Sequence, residues 1–362
     1  MKWIAIILGV LAAPVPAAVT LFDWSADACE TWDIPDTPAR FWKDGDGVAM
    51  IAGSEASRVA RGATPFRLDR DCTIAFAGAH DGDPRRHDDR AWIHSVWARD
   101  DGTVEALAHV EYHGHRHGTC VAGTYMACWR NSVVALESND GRTFNRIPGP
   151  PVAALPDPYD PDQTRRTGYF NPSNIFRAGR FLYVFVFAEA SGAQARGACL
   201  LRRPQSGGDW LAWTGAAFSA RLSGRSHGGT CAPVDGVKSV LSSVVADGKG
   251  GYLAVTPRTV EGQSGIWLQR STTLRRWSDP ELLVPLPLLW RKDCAAPAVY
   301  AYPALVSPDS RSRNFDLLDG PIWLTAVRMP LGPACRVGPE RDLIAWPLQR
   351  QPDGRFQVIE AR

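Results

Sequence analysis

The stretch S-V-V-A-L-E-S-N-D-G-R-T-F, residues 132–144, joins a strand pattern to a turn pattern. Val133 to Leu136 form a short apolar run rich in β-branched residues, which is typical of a buried strand. Asp140-Gly141 follows, and Asp-Gly pairs commonly connect two antiparallel strands because glycine tolerates positive φ. The stretch therefore predicts a strand that ends in a tight turn.

The same pattern continues on both sides of this stretch. Further strand-like runs occupy residues 91–97, 104–113, 181–188, 239–245, 251–256, 265–270, 321–328 and 342–348. Further Asp-Gly pairs occupy 101–102, 247–248 and 353–354. Successive strands joined by short turns pair antiparallel, so the sequence predicts an all-β fold of consecutive meanders.

Composition agrees with this interpretation. The 362 residues include 14 Trp, 33 Gly and 28 Pro, a mixture that favours strands and turns. With 40 Lys+Arg against 38 Asp+Glu the formal charge is +2, and 45% of residues are hydrophobic. These values exclude a disordered chain and argue against nucleic acid as a partner.

A weak repeat in the order of features organises the strands. Five segments contain polar residues that we expect to face inward, and an apolar strand follows each of them. These segments begin near Asp36, Trp92, Pro172, Val240 and Pro303. Four-stranded units that repeat at such intervals are typical of propeller blades. The sequence therefore predicts a five-bladed β-propeller of four-stranded antiparallel blades, forming one domain over residues 19–362.

Two motifs resemble those of known propellers. Ser138-Asn139-Asp140-Gly141-Arg142-Thr143-Phe144 resembles the Asp-box of sialidases and related propellers, where Asp and Ser/Thr side chains close a turn above a packed aromatic ring. Arg270 to Pro280, R-S-T-T-L-R-R-W-S-D-P, is similar to the blade turn of five-bladed furanosidases of the arabinanase, xylosidase and invertase type. Thr273 stands where those proteins usually carry an acidic residue.

The resemblance implies a glycoside hydrolase whose carboxylates lie in a central funnel. Its substrate would be a polysaccharide or a glycoconjugate. Glycoside hydrolysis needs one carboxylic acid to protonate the leaving oxygen and a second carboxylate to activate water or attack the sugar. We expect Asp36 to be the base or nucleophile, Glu111 the general acid, and Asp89 a group that orients them or adjusts their pKa values.

The segment around Asp36 contains more than one charged candidate. In W-D-I-P-D-T-P-A-R, residues 32–40, Asp33 and Asp36 flank a rigid proline, and Asp36 with Arg40 could form a charge-assisted pair. A solvated turn without function is the alternative. Near the closing strand, Asp342 could face the funnel, although pairing with Arg341 is the favoured interpretation.

The most unusual stretch is H-V-E-Y-H-G-H-R-H, residues 109–117. Side chains on a strand alternate, so His109, Glu111 and His113 should share one face. This face could hold a general acid or a metal ion, but ligands spaced along one strand reach a single ion poorly. We therefore expect no bound metal or other cofactor, and a solvated histidine-rich loop remains an alternative.

Neutral polar and aromatic residues complete the expected sugar site. Aromatic faces suit the apolar faces of sugars, and amides and hydroxyls suit sugar hydroxyl groups. The expected substrate-binding residues are Asp33, Arg40, Trp92, His109, His113, Asn171, Ser173, Asn174 and Tyr302. The run Arg225-Ser226-His227 could suggest a Ser-His hydrolase, but no G-x-S-x-G motif accompanies it.

The N-terminus and the cysteines predict export. Residues 1–18 combine Lys2, an apolar run from Trp3 to Ala13 and a small-residue exit, which is the pattern of a signal peptide. An even number of cysteines, eight, favours disulfides in an exported chain. Pairing of sequence neighbours would join 29 with 72, 120 with 128, 199 with 231 and 294 with 335. We expect a secreted or periplasmic monomer without a membrane span.

Two other classes of function remain open from the sequence. One is a carbohydrate-binding propeller without catalysis, and the other is a structural or adhesion propeller. Two carboxyl groups about 5–9.5 Å apart in a central cavity would favour hydrolysis. A single isolated acid would favour binding, and cavity walls without acids would favour a structural role.

Overall fold

Strands and turns make up nearly all of the structure, a computed structural model that describes residues 16–223 and 228–361. Within those ranges, regular helix is limited to one turn of α-helix, Trp24–Asp27, and the 3-10 turns Gly114–His117 and Pro333–Cys335. No helix there has the length and apolarity needed to cross a membrane. The first fifteen residues of the predicted leader and Arg225-Ser226-His227 lie outside the described residues.

The first two meanders follow a short strand near the N-terminus, β1 (Val19–Phe22). The first contains β2 (Arg40–Asp44), β3 (Gly47–Ile51), β5 (Val59–Thr64) and β6 (Arg67–Arg70), while β4 (Ala56–Ser57) pairs with β7 (Phe76–Ala77). The second contains β8 (Arg90–Ala98), β9 (Val104–His113), β10 (Trp129–Ser138), β11 (Asn145–Arg146) and β12 (Ala153–Ala154).

The next two meanders repeat the pattern. The connecting strand β13 (Thr167–Phe170) pairs with both β10 and β15. The third meander contains β14 (Phe176–Ala178), β15 (Phe181–Ala188), β16 (Gly197–Pro204), β17 (Leu211–Trp213) and β18 (Phe218–Ala220), followed by β19 (Leu222–Ser223). The fourth contains β20 (Ser243–Ala246), β21 (Tyr252–Val260), β22 (Gln263–Ser271) and β23 (Glu281–Pro285).

The fifth meander closes the structure onto its own beginning. It contains β24 (Ala298–Val306), β25 (Ile322–Gly332), β26 (Arg336–Val337), β27 (Asp342–Arg350) and β28 (Phe356–Val358). The N-terminal strand β1 pairs antiparallel with β27, with Val19 opposite Ala345. The N-terminal strand β1 therefore completes the sheet of the fifth meander.

The hydrophobic core lies between consecutive meanders, because each sheet buries apolar residues on both faces. One cluster packs Trp42 of the first meander against Ile93 of the second, and similar clusters join the second to the third, third to fourth and fourth to fifth. Another packs Met50 of the first against Val327 of the fifth. This ring of sheets confirms the predicted β-propeller of antiparallel sheets, while the number of five blades stays a prediction.

Both motifs from the sequence have the geometry of structural turns. One Asp140 carboxylate oxygen accepts hydrogen bonds from the backbone N–H groups of Arg142 (2.7 Å) and Thr143 (2.9 Å), while Gly141 has φ +64° and Phe144 is buried. The indole N–H of the buried Trp277 donates to the Leu274 carbonyl oxygen at 3.0 Å. These motifs shape hairpins and lie away from the central cavity.

The disulfides connect sequence neighbours. The bonded pairs are Cys29–Cys72, Cys120–Cys128, Cys199–Cys231 and Cys294–Cys335. All eight cysteines are used, and the predicted pairing is confirmed. Each bond therefore ties down a short section of chain.

Candidate active site

A cavity of about 940 Å³ opens where the five meanders meet. Its wall takes residues from every meander or the segment just before it, including Asp36, Trp92, Phe187, Arg258 and Tyr302. Among the described residues that line it, the carboxylates are Asp36, Glu111 and Glu189. The cavity is the structural counterpart of the funnel that the repeat predicts.

Asp36 lies on the chain that leads into β2. Its backbone N–H donates to the Gly53 carbonyl oxygen at 3.1 Å, which fixes the segment against the end of the first sheet. Its carboxylate pairs with the Arg341 guanidinium and lies near the Tyr302 hydroxyl, and both groups lower its pKa. Burial nevertheless raises the pKa of Asp36 above its ordinary value, with Arg341 and Tyr302 opposing and the charge of Glu111 adding to the rise.

Glu111 lies near the end of β9 beside two imidazoles. One of its oxygens is 3.0 Å from Nε2 of His113, and the other is 3.9 Å from Nε2 of His109. An Arg90 guanidinium nitrogen lies 3.3 Å from Nδ1 of His113. Because arginine can only donate, Nδ1 of His113 accepts, and its Nε2–H therefore donates to Glu111.

These contacts lower the pKa of Glu111. Burial alone would raise it, but the His113 hydrogen bond, the Arg90 guanidinium and the nearby imidazoles of His109 and His113 together outweigh burial. The predicted alternation is confirmed here, because His109, Glu111 and His113 lie on one face of β9. Asp36 and Glu111 thus share a cavity with pKa values displaced in opposite directions.

The imidazole of His109 forms part of the cavity wall. Burial, aided by the Arg166 charge, lowers the pKa of His109 to about 4, so its ring is neutral near pH 7. The ring packs within 6.3 Å of Trp92 and 6.1 Å of Phe170, measured between ring centroids. His109 is thus an uncharged polar group in an aromatic wall.

One cluster in the described part of the chain brings three potential metal ligands within reach of one another. It consists of His115, Cys120 and Cys128. The two cysteines form a disulfide with each other, so the cluster offers an imidazole and no thiolate. These residues do not fit a zinc site.

Three further predicted sugar-site residues line the cavity. Trp92 is buried and has the Arg90 guanidinium 4.7 Å from its ring centroid. Asn171 and Tyr302 have φ of +48° and +56°, a region that residues other than glycine seldom adopt. Strain of this kind clusters at sites where the surrounding structure fixes a side chain, so both residues are positioned rigidly against the cavity.

Three other predicted residues connect sheets around the axis and do not line the cavity. Arg40 donates to the carbonyl oxygens of His94 (2.7 Å) and Ser242 (2.6 Å). The Asn174 side chain accepts from the Val244 N–H and donates to its carbonyl oxygen, both at 2.7 Å. Ser173 is likewise buried, where its hydroxyl accepts from the Phe185 N–H at 3.0 Å.

Asp33, Asp89 and His113 also lie behind the cavity wall. Asp33 is buried and paired with Arg70 and Arg58. Asp89 accepts from the His113 backbone N–H at 3.1 Å and lies 2.9 Å from Nε2 of His117. His113 does not line the cavity, but it donates to Glu111, which does. Asp89 contacts His113 and is therefore further from the cavity than His113.

Two expected ion pairs have different partners. Asp36 pairs with Arg341, because Arg40 is directed to backbone carbonyl oxygens at the axis. Asp342 pairs with Arg328 across the β25–β27 register, at 2.6 Å, so the expected Asp342–Arg341 pair was wrong. Side chains of neighbouring residues on a strand point to opposite faces, which separates Arg341 from Asp342.

Glu189 is a cavity residue that was not among the predicted site residues. It follows directly after β15 and lines the cavity between Arg166 and Arg196, at 3.2 and 2.8 Å. The available signal was its position, since it is the first charged residue after the apolar strand F-L-Y-V-F-V-F-A. Arg341, which precedes a strand of the fifth meander, was considered only as a partner for Asp342.

Several solved structures have a similar architecture. An endo-1,5-α-L-arabinanase from Thermotoga petrophila superposes with a TM-score of 0.55 at 13% identity, covering 90% of this chain and 74% of that one. The Cellvibrio cellulosa α-L-arabinanase bound to arabinohexaose gives 0.52 at 10% identity, covering 89% and 94%. This chain has their β-propeller fold.

A xylan β-1,4-xylosidase from Bacillus halodurans also resembles this chain, over part of the xylosidase's own length. Its TM-score is 0.52 at 10% identity, and the alignment covers 95% of this chain but 56% of the xylosidase. No protein-family model and no curated protein sequence matches the chain. At these identities the likeness concerns the fold, and the chemistry must be argued from the cavity itself.

Proposed function

We propose that the chain is an exported, propeller-type glycoside hydrolase that cleaves a polysaccharide or glycoconjugate with Asp36 and Glu111. The observation that carries this proposal is a pair of carboxylates in one cavity whose pKa values are displaced in opposite directions. Such a pair provides a proton donor and a carboxylate base at the same pH. The four disulfides are compatible with an exported monomer.

We infer the two roles in the reverse of the order expected from sequence, on the basis of the environment of each acid. A general acid with a raised pKa gives up its proton less readily, which favours Asp36 for this role, because burial raises its pKa although its carboxylate pairs with Arg341. A base or nucleophile must be ionised, which favours Glu111, whose carboxylate accepts the His113 N–H. Asp89 is a positioning residue, because it holds the His113 backbone and thereby the donor to Glu111.

The remaining wall supplies surfaces suited to a sugar. Trp92 and His109 provide an aromatic and an uncharged polar contact, while Asn171 and Tyr302 offer an amide and a hydroxyl. Two exposed aromatics, Trp290 and Tyr125, stand on the cavity wall with most of their surface in solvent. They could stack on sugar units that extend beyond the reacting one.

A leaving-group experiment tests the role of each acid. We would compare wild type, Asp36→Asn and Glu111→Gln on natural glycans and on aryl glycosides with a good leaving group. A good leaving group needs no protonation, so Asp36→Asn should regain much of its lost rate on the aryl substrate, while Glu111→Gln should not. Azide should restore only Glu111→Gln, because azide replaces a missing base or nucleophile.

The outcomes separate the proposal from its alternatives. Rescue in the opposite order would restore the assignment expected from sequence. Equal release by wild type and both variants would eliminate these two acids as catalysts.

The second candidate is a propeller that binds glycans without cleaving them. The ion pair between Asp36 and Arg341 favours this candidate, because that guanidinium already occupies one of the two acids. Binding of oligosaccharides by wild type without cleavage of any aryl glycoside or polysaccharide would establish it.

A further inference from the structure

The cavity wall is strongly cationic, although the chain as a whole is nearly neutral. Among the described residues that line it, the cationic ones are Arg90, Arg165, Arg166, Arg196, Lys238, Arg258, Arg291 and Arg341. Eight cations face three carboxylates there, whereas the whole chain has a formal charge of only +2. The excess positive charge is therefore concentrated at the site.

Four of these cations lack an acidic partner in the part of the chain that the structure describes. Within residues 16–223 and 228–361, no carboxylate lies within 4 Å of the charged nitrogens of Arg165, Lys238, Arg258 or Arg291. Arg258 is the most informative, because it is half-buried on β21 and burial lowers its pKa. A guanidinium withdrawn from water without a counter-charge is stabilised when an anion binds beside it.

Two further arginines stack on aromatic rings and have spare donor capacity. Arg166 lies 4.2 Å above the Phe170 ring and Arg196 lies 4.9 Å above the Phe187 ring, and both pair with Glu189. One carboxylate cannot satisfy the ten N–H groups of two guanidinium groups. Stacking also fixes their orientation, which favours a forked contact with a planar or tetrahedral anion.

We propose that the substrate is an anionic glycan, whose uronate carboxylates or sulfate esters bind Arg258, Arg166 and Arg196. This inference rests on the proposed function, since it names the substrate class of the same cavity. The near-zero charge of the chain does not argue against an anionic substrate, because net charge averages over surfaces that the substrate never touches. Focusing of cationic charge within a cleft raises the local concentration of an anionic ligand.

Calorimetry can test the proposal with matched oligosaccharides. The probes are galacturonate oligosaccharides, their carboxyl-reduced neutral counterparts and sulfated galactan oligosaccharides of the same length. Wild type should bind at least one acidic probe about tenfold to a hundredfold more tightly than the neutral one, and added NaCl should reduce that preference. The stronger acidic probe identifies carboxylate or sulfate as the recognised group.

Single substitutions show whether cationic residues of the cavity cause the preference for acidic probes. Arg258→Gln should weaken binding of the preferred acidic probe about tenfold and leave binding of the neutral probe unchanged. Lys249→Gln removes one positive charge from an exposed turn outside the cavity and should change neither. Equal affinity for acidic and neutral probes, or equal weakening of both by Arg258→Gln, would overturn the inference.

Cleavage assays on the same probes keep this inference separate from the proposed function. Charge-dependent binding without cleavage of any probe or aryl glycoside would defeat hydrolysis and leave anion recognition standing. Cleavage of neutral glycans, with acidic ones neither bound nor cleaved, would defeat anion recognition and leave hydrolysis standing.

Discussion

Asp33 and Asp36 stand three residues apart on either side of Ile34-Pro35, yet their surroundings differ completely. Asp33 is fully buried, accepts from the Cys29 N–H at 3.1 Å and pairs with Arg70 and Arg58. Asp36 has one guanidinium partner, Arg341, and a face open to the cavity. The difference teaches that a carboxylate surrounded by permanent partners supports the fold, whereas one with unused acceptor capacity at a cavity can act on a ligand.

The largest expected effect is on catalysis at Asp36. Asp36→Asn keeps the shape of the side chain but removes its proton, so kcat on a natural glycan should fall about 10²–10⁴-fold. Thermal unfolding should remain close to wild type, because Asp36 is partly exposed and has few permanent partners. If Asp36→Asn keeps the kcat of wild type, Asp36 is not catalytic and does not differ in this respect from Asp33.

The next largest effect is on stability at Asp33. Asp33→Asn leaves the buried Arg70 without a counter-charge and Arg58 with Glu30 alone, so the free energy of unfolding should fall by about 3 kcal/mol. Denaturant titration measures this change. The folded fraction should retain wild-type kcat, and a loss of kcat in fully folded variant would show that Asp33 does more than stabilise.

The pH profile should respond to the partners of the two cavity acids. With Asp36 as acid and Glu111 as base, kcat/KM of the wild type should peak at acidic pH, between the lowered pKa of Glu111 and the raised pKa of Asp36. The Arg341 charge lowers the pKa of Asp36, so Arg341→Gln should move the alkaline limb about one unit higher.

His113→Asn serves as the matched variant for the other limb. It removes a hydrogen bond that lowers the pKa of Glu111, so the acid limb should move to higher pH while the alkaline limb stays. If neither variant moves a limb, these carboxyl groups do not control the rate.

The smallest expected effect belongs to an acid that only closes a turn. Asp140→Ala removes acceptors for the N–H groups of Arg142 and Thr143 at an exposed hairpin, which should cost about 0.5–1 kcal/mol. These hydrogen bonds lower the pKa of Asp140, so their contribution is present at neutral pH. The difference from wild type should shrink below about pH 3.9, as the wild-type carboxyl is protonated. We expect kcat of Asp140→Ala to equal that of wild type, because this turn lies away from the cavity.

The sequence predicted the fold well because its signals are local. The strand run before Asp140-Gly141 and the turn around Trp277 are each set by a few adjacent residues. Alternation on one strand similarly predicted the common face of His109, Glu111 and His113. Neighbouring cysteines paired as expected because each pair lies within a short section of chain.

The partners of the candidate acids could not be predicted because they come from distant parts of the chain. Arg341 reaches Asp36 from 305 residues away, and this contact requires the ring of sheets to close. Arg40 is near Asp36 in sequence, but its strand directs it to carbonyl oxygens of His94 and Ser242. Asp33 and Asp36 look equivalent in sequence, since only the three-dimensional fold shows which one meets the cavity.

The pairing of β1 with β27 determines when the molecule can be completed. Val19 lies opposite Ala345, so the contact that closes the ring spans most of the chain and carries a large loop-closure cost. A ribosome releases residues in order, and β1 therefore waits unpaired until β27 has emerged. Each sheet can form from its own strands, but the ring can close only after β27 is available. The contact between Asp36 and Arg341 belongs to that final step, so the candidate active site is assembled last.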